Sequence, residues 1–121
     1  MYNIIFYEDR NGKSDLWEFL EDLRLKSNKS KDARIQYKQI MFYIELLQNN
    51  GTRLSENITK HLGDGIWELR PGDNRVFYFF FKENTFILLH QFRKKSQKTP
   101  LIELNKAKGE REDFISRTEG K

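Results

Sequence analysis

Arg70 and Arg75 stand on either side of a four-residue turn, Pro71-Gly72-Asp73-Asn74, and Arg93, Lys94 and Lys95 close the aromatic run that follows. A guanidinium binds phosphate oxygens with a planar fork of donors, and a lysine adds a compact positive charge. Glu68 lies two residues before Arg70, and the two histidines, His61 and His90, sit before and after the same stretch. One chemistry that such a set of groups could do is metal-free cleavage of an RNA phosphodiester, which needs three things. The 2′-hydroxyl must lose its proton, the five-coordinate phosphorus must be stabilised, and the 5′-oxygen must gain a proton. Arg70 and Arg75 are the candidates for the second task. The base is open among Glu68, His61, His90 and a lysine of lowered pKa. Each also has a plain structural role: Glu68 as the partner of Arg70, His90 as a packed strand histidine, His61 as a solvated loop residue. Lys60, Arg93, Lys94, Lys95 and Lys98 are candidates for binding the RNA backbone.

These side chains need a sheet to bring them together. Ile66–Arg70, Arg75–Phe81 and Phe86–Phe92 are rich in aromatic and β-branched residues and bounded by turn residues, which predicts three consecutive antiparallel strands. With Pro71–Asn74 as the first loop, Arg70 faces Arg75 across the ladder. With Glu83-Asn84 as the second, Arg75 pairs with Phe92, and Arg93, Lys94 and Lys95 leave at the same end. Residues directly opposed share a face, and like charges opposed there are unfavourable unless an anion meets them. In this register Trp67, Leu69, Val76, Tyr78, Phe80, Ile87 and Leu89 share the face toward the helices. Glu68, Arg70, Arg75, Phe77, His90 and Phe92 share the other, on which the arginines are expected to be exposed. That second face suits a base that stacks and a phosphate that is held.

Ahead of the sheet, Tyr2–Tyr7 predicts a first strand. Ser14 or Asp15 caps a helix with Leu16, Phe19, Leu20 and Leu23 at helical spacing. After a polar break at Ser27–Ser30, Ala33, Tyr37, Ile40, Ile44 and Leu47 make a second helical stripe, ended by Asn49-Asn50-Gly51. Ile58–Leu62 is a short strand leading into the sheet. Thr99 as cap and Pro100 at the first helical position begin a last helix with sparse apolar residues. The fold class is therefore α+β, in the order β-α-α-β-β-β-β-α. An N-terminal helical hairpin packs on one face of an antiparallel sheet, and a C-terminal helix follows. The 121 residues form one domain, 1–121, with 118–121 frayed.

The formal net charge of +4 is concentrated: residues 60–98 hold 8 basic and 4 acidic side chains, while the segments on either side are balanced. A basic face of this kind is the footprint of a phosphate-rich partner. There is no cysteine, which excludes disulfides, thiolate metal sites and cysteine nucleophiles. Two histidines without a carboxylate cluster predict no metal site. No glycine-rich phosphate loop is present, and no apolar run approaches the length of a membrane span. No secretory leader is read at the start, so a cytoplasmic location is expected and Asn57-Ile58-Thr59 is discounted as a glycosylation site.

Ile66-Trp67-Glu68-Leu69-Arg70, Arg75-Val76-Phe77-Tyr78, Leu88-Leu89-His90-Gln91-Phe92-Arg93-Lys94-Lys95 and Lys98-Thr99-Pro100, with Glu103 and Ala107, carry a further signal. Together with the preceding helical hairpin they resemble the HigB-like, phage-derived branch of the RelE/ParE toxins over nearly the whole chain. The resemblance implies the toxin of a type II toxin–antitoxin system, a ribosome-dependent endoribonuclease (mRNA interferase) that inhibits translation. It implies no cofactor. The implied partners are the ribosome and messenger RNA, and a helix-turn-helix, HigA-like antitoxin whose complex with the toxin reaches operator DNA. Arg70 and Arg75 resemble the sheet arginines that contact the scissile phosphate, and Lys94 and Lys95 the basic residues after the last strand. Lys60 and His61 stand where some relatives have a basic residue or histidine. Some members use a tyrosine or histidine near the C-terminus, and residues 99–121 contain neither. Trp17, Tyr37 and Tyr43, among charges on the hairpin, are candidates for the antitoxin interface. Two alternatives remain: a ParE-like protein that inhibits DNA gyrase by binding, and a non-catalytic RNA-binding module.

Overall fold

A computed structural model describes residues 1–119. The elements are β1 (Asn3–Phe6), α1 (Asp15–Lys26), α2 (Lys31–Asn50), β2 (Thr59–Gly63), β3 (Ile66–Leu69), β4 (Asn74–Phe80), β5 (Thr85–Arg93) and α3 (Leu101–Glu119). The predicted order of elements is the observed one.

The two serines after polar breaks start the helical hairpin. Ser14 Oγ accepts from the Trp17 N–H at 3.1 Å, and Ser30 Oγ accepts from the Ala33 N–H at 3.1 Å. Each satisfies one of the donors left over at a helix N-terminus. Gly51 ends α2 at φ 62°, its N–H donating to the Leu47 carbonyl at 2.8 Å. A Cβ there would lie 2.8 Å from the Tyr2 ring, so the position needs glycine for space as well as for conformation.

Five strands form one sheet in the order β1-β5-β4-β3-β2. The last four strands in sequence are antiparallel, as expected. β1, however, pairs parallel with β5, so the sheet is mixed. The connection responsible is long: the whole helical hairpin, β2, β3 and β4 intervene before β5 arrives beside β1. Nothing local in β1 specifies that partner.

The sheet has helices on both faces, which corrects the expectation of one helical face. On the first face, Leu16, Leu20, Leu23, Ala33, Ile40, Ile44 and Leu47 of the hairpin pack on Leu69, Val76, Tyr78, Phe86 and Leu88. On the second, Leu104, Ala107, Phe114 and Ile115 of α3 pack against Ile66, Phe77, Phe79, Ile87 and Leu89. The apolar half of the face expected to stay open is therefore roofed by α3. The sparse apolar residues of α3 sit at spacings that bring them to one side.

A β-bulge explains the one error in the assignment of faces. Val76 pairs with Gln91, but Tyr78 pairs with Leu88, so Phe77 is opposed by both Leu89 and His90. Beyond that point the alternation of β5 is inverted. Ile87 and Leu89 turn to the α3 face, while Phe86 and Leu88 take the hairpin face. Below the bulge the predicted register holds, and Arg75 pairs with Phe92.

α3 begins with Leu101, and the Pro100 carbonyl accepts from the Leu104 N–H at 3.2 Å. The Thr99 hydroxyl, expected to cap this helix, is directed to Glu68 instead, at 3.4 Å. α3 continues through Glu119, which pairs with Lys82 at 3.1 Å, so the helix includes residues 118 and 119. Residues 120–121, expected to fray, lie outside the described residues. Farther along the same helix Asp113 gathers Tyr7 Oη at 2.6 Å, Arg117 Nη2 at 2.7 Å and Arg10 Nε at 3.2 Å, which ties α3 to the end of β1. No helix among the described residues is long and apolar enough to cross a membrane.

Candidate active site

The strand register sets out the site row by row. Lys60 of β2 pairs with Glu68 of β3, and Glu68 with Phe77 of β4. Two residues after Glu68 the chain leaves β3 at Arg70, on the same face. The next row joins Arg75 to Phe92. α3 roofs Phe77 but not the row nearer the turn. That leaves a cleft of about 240 Å³ lined by Lys60, Glu68, Arg70, Arg75 and Phe92, and by Lys94, Ser96, Gln97, Lys98 and Thr99 of the segment between β5 and α3. Five of these residues are cations and one is a carboxylate.

The turn between the arginines is seated on α2. Asn74 Nδ2 donates to Gln36 Oε1 at 3.0 Å, and Gly72, at φ 60°, lies where a Cβ would come within 2.8 Å of Gln39 Oε1. This turn aims Arg75. Nη1 of Arg75 donates to the Gly72 carbonyl at 2.8 Å and to the Asn74 carbonyl at 2.9 Å, which uses both of its hydrogens. The guanidinium plane is thus fixed, and its remaining donors are left for the cleft. Arg75 is only 7% exposed, against the expectation of an open arginine. Its burial holds its pKa below the ordinary arginine value despite the attraction of Glu68.

Arg70 is held more loosely. Its Nη1 donates to the Glu56 carbonyl at 2.9 Å, and its Nε lies 3.4 Å from Glu68 Oε2. That Nε is buried and has no hydrogen-bond partner, so its interaction with Glu68 is an ion pair without a formed hydrogen bond. The two arginines do not simply repel: Glu68 lies among them, 2% exposed. Burial pushes the Glu68 carboxyl above its ordinary pKa, and this outweighs the opposing pull of Arg75, Arg70, the Thr99 hydroxyl and Lys60. A buried carboxylate of raised pKa, on the wall of a cationic cleft, is a stronger proton acceptor than an exposed one.

Of the sequence candidates, the structure brings together Glu68, Arg70, Arg75, Lys60, Lys94 and Lys98. It does not bring in the histidines. His61 is one strand position from Lys60 and so faces the other side of the sheet. There its ring lies tilted against that of Trp67 at 4.8 Å, and its Nε2 accepts from the Gly65 N–H at 3.2 Å. His90 is 1% exposed and buried under α3 between Glu110, 2.5 Å from Nδ1, and Glu103, 3.0 Å from Nε2. Arg93 points to Asp73, 3.7 Å away, and neither Arg93 nor Lys95 lines the cleft. Phe92, Ser96, Gln97 and Thr99 were not singled out as site residues. The only signal for them was their closeness to Lys94 and Lys98. Trp17, on the hairpin surface, is 56% exposed, while Tyr37 and Tyr43 are partly buried against the core.

Residues 26–112, which contain every residue of the cleft, match the family described as phage-derived protein Gp49-like (DUF891). The chain belongs to this Gp49-like family. No curated protein matches the sequence. Among solved structures, the archaeal RelE–RelB complex from Pyrococcus horikoshii OT3 contains a similar chain. The likeness covers 80% of the Gp49-like chain and 98% of that one, at 16% identity and a TM-score of 0.54. The YoeB–YefM toxin–antitoxin heterotetramer from Staphylococcus aureus is similar over 79% of this chain and 98% of that one, at 18% identity and a TM-score of 0.48. The RelE likeness establishes a shared fold: a Gp49-like chain has the RelE architecture of a mixed five-stranded sheet between a helical hairpin and a C-terminal helix.

Proposed function

We propose that this Gp49-like protein is the toxin of a type II toxin–antitoxin system and cuts messenger RNA on the translating ribosome. The observation that carries this reading is one cleft holding a buried Glu68 of raised pKa against Arg70 and Arg75, with Lys60, Lys94 and Lys98 around it. The RelE relative of the same fold was solved with RelB, which supports a protein antitoxin as partner. A HigA-like helix-turn-helix antitoxin, and operator binding through the complex, follow from the sequence resemblance to HigB-like proteins.

In this reading Glu68 accepts the proton of a 2′-hydroxyl and the 2′-oxygen attacks the adjacent phosphorus. The guanidinium of Arg70 and the free donors of Arg75 hold the non-bridging oxygens, where negative charge develops. The bond from phosphorus to the 5′-oxygen breaks. That oxygen takes a proton from an ammonium group of Lys60, Lys94 or Lys98, leaving a 2′,3′-cyclic phosphate and a 5′-hydroxyl end. The two guanidiniums supply the charge stabilisation, so the chemistry needs no metal from this chain. Phe92 in the cleft wall offers a ring for a base beside the phosphate. With so few groups engaged, the ribosome is left to position the substrate.

The test compares a message on purified translating ribosomes with the same RNA naked, each in chelator and in Mg²⁺, on ribosomes stabilised by polyamine. Cleavage is expected only on ribosomes and unchanged by chelation. Efficient cutting of naked RNA overturns the ribosome dependence. Growth arrest without any cleavage, accompanied by loss of gyrase supercoiling, assigns the protein to the gyrase-inhibiting role instead.

A further inference from the structure

The segment of residues 94–100 contributes half of the cleft lining, as Lys94, Ser96, Gln97, Lys98 and Thr99. Its attachment is uneven. At one end the Lys94 N–H donates to the Asp73 carbonyl at 2.7 Å. Near the other the Thr99 hydroxyl reaches Glu68 only at 3.4 Å, a long hydrogen bond. Beyond that, the segment is held by whatever holds the first turn of α3.

That turn has no apolar anchor. Leu101 and Ile102 are 68% and 79% exposed, and Leu104 is the first side chain of α3 that packs on the sheet. Between them Glu103 Oε1 lies 3.0 Å from His90 Nε2. The ring itself cannot swing. It is enclosed in the sheet, edge-on to Phe77 at 5.2 Å, with Glu110 on its other nitrogen at 2.5 Å. The other charged contact near this turn, Lys106 to Asp15 at 3.6 Å, joins two half-exposed side chains. Surface pairs of that kind contribute little.

We infer that His90 is a positioning residue, which acts through Glu103 to hold the 94–100 segment as a strap over the cleft. Lys98 and Thr99 then face the RNA backbone, although the imidazole never touches it. The inference rests on reading the cleft as the RNA site. It gives a function to a buried histidine that the cleavage chemistry does not use.

Glu103 is the place to test this, because its side chain is 29% exposed and its loss leaves the packed part of α3 intact. Two readouts are taken on the full chain: amide hydrogen exchange across residues 95–103, and binding to ribosomes programmed with a message whose 2′-hydroxyls are methylated so that it cannot be cut. Glu103→Ala is expected to speed exchange in this segment about tenfold and to weaken binding by a similar factor, the scale of one lost charge-assisted hydrogen bond. Glu103→Gln keeps an acceptor for the imidazole and is expected to restore both. Exchange unchanged in Glu103→Ala overturns the tether. Faster exchange with unchanged binding overturns the strap's role toward substrate. If the wild-type chain does not bind the programmed ribosomes, the RNA reading of the cleft fails, and the exchange rates still decide whether the tether exists.

Discussion

Arg70 and Arg75 look equivalent as neighbours of one turn, but the structure predicts different consequences for their loss. Arg75→Ala removes two hydrogen bonds from a charged donor to the Gly72 and Asn74 carbonyls. Bonds of that type are worth about 1.5–3 kcal/mol each. Burial of the guanidinium, which lowers its pKa, returns part of this, and water reaches the freed loop carbonyl of Gly72. A net loss of roughly 2–3 kcal/mol remains, or about 10 °C in melting temperature for a domain of this size. A typical domain survives that loss at 25 °C. Arg70→Ala removes one bond to the Glu56 carbonyl and the ion pair with Glu68 from a side chain 27% exposed, and about 1–2 kcal/mol is expected. Both variants should lower single-turnover cleavage on ribosomes by roughly 10²–10³-fold, the scale of removing one transition-state donor. Arg75→Lys separates charge from geometry, because an ammonium cannot span both carbonyls and still present a fork to phosphate. The assay is a melting curve and a single-turnover rate for each variant. Full cleavage by a folded Arg75→Ala chain would show that no phosphate is held there. Full rescue by lysine would show that a point charge suffices and that the fork does not matter. If Arg75→Ala melts with the wild type, the buried placement of this side chain is wrong.

Glu68→Gln is nearly isosteric and removes the proposed base, so cleavage should fall by roughly 10²–10⁴-fold. Stability should not fall with it. The raised pKa of Glu68 means that its charged form is disfavoured by folding, so the carboxylate costs stability at neutral pH and regains it as pH falls through its titration. The glutamine variant should melt at or above the wild-type temperature at pH 7, with the gap closing in acid, and a large loss at pH 7 refutes the assignment. Tyr7→Phe tests the tie between β1 and α3. Burial and Asp113 push the Tyr7 hydroxyl up to about 12, and Arg117, Tyr7 and Arg10 hold Asp113 at about 2. The contribution of Tyr7 is fully present below its unfolded value of 10.0 and is lost as pH rises from there toward 12. That of Asp113 is present above 3.8 and is lost as pH falls toward 2. The stability gap between wild type and Tyr7→Phe, measured by denaturant melts, should be level between pH 4 and pH 10 and narrow on both sides. A gap independent of pH refutes the coupling.

Local signals in the chain were enough for most of the architecture. Serine caps after polar breaks, a glycine with positive φ at the end of α2, helical stripes and alternating strands name every element in order. These features act over a few residues, within one turn or one hairpin. The hairpin loops also set the register that places Arg75 opposite Phe92, and so the cationic row of the cleft. What the sequence could not determine depends on contacts between distant segments. The parallel pairing of β1 with β5 is one case, since its two strands are far apart in the chain. The bulge opposite Phe77 is another: one extra residue in β5 inverts the faces of Ile87 and Leu89, and no residue type there announces it. The docking of α3 on the second face is the third, and it decided where the titratable groups lie. It buried His90 between Glu103 and Glu110, left Glu68 as the only carboxylate among the described residues that line the cleft, and brought Lys98 and Thr99 into its wall. Residue type and spacing identify groups capable of proton transfer. Which of them meets a substrate depends on burial and on the charges packed against it, and those are properties of the folded chain.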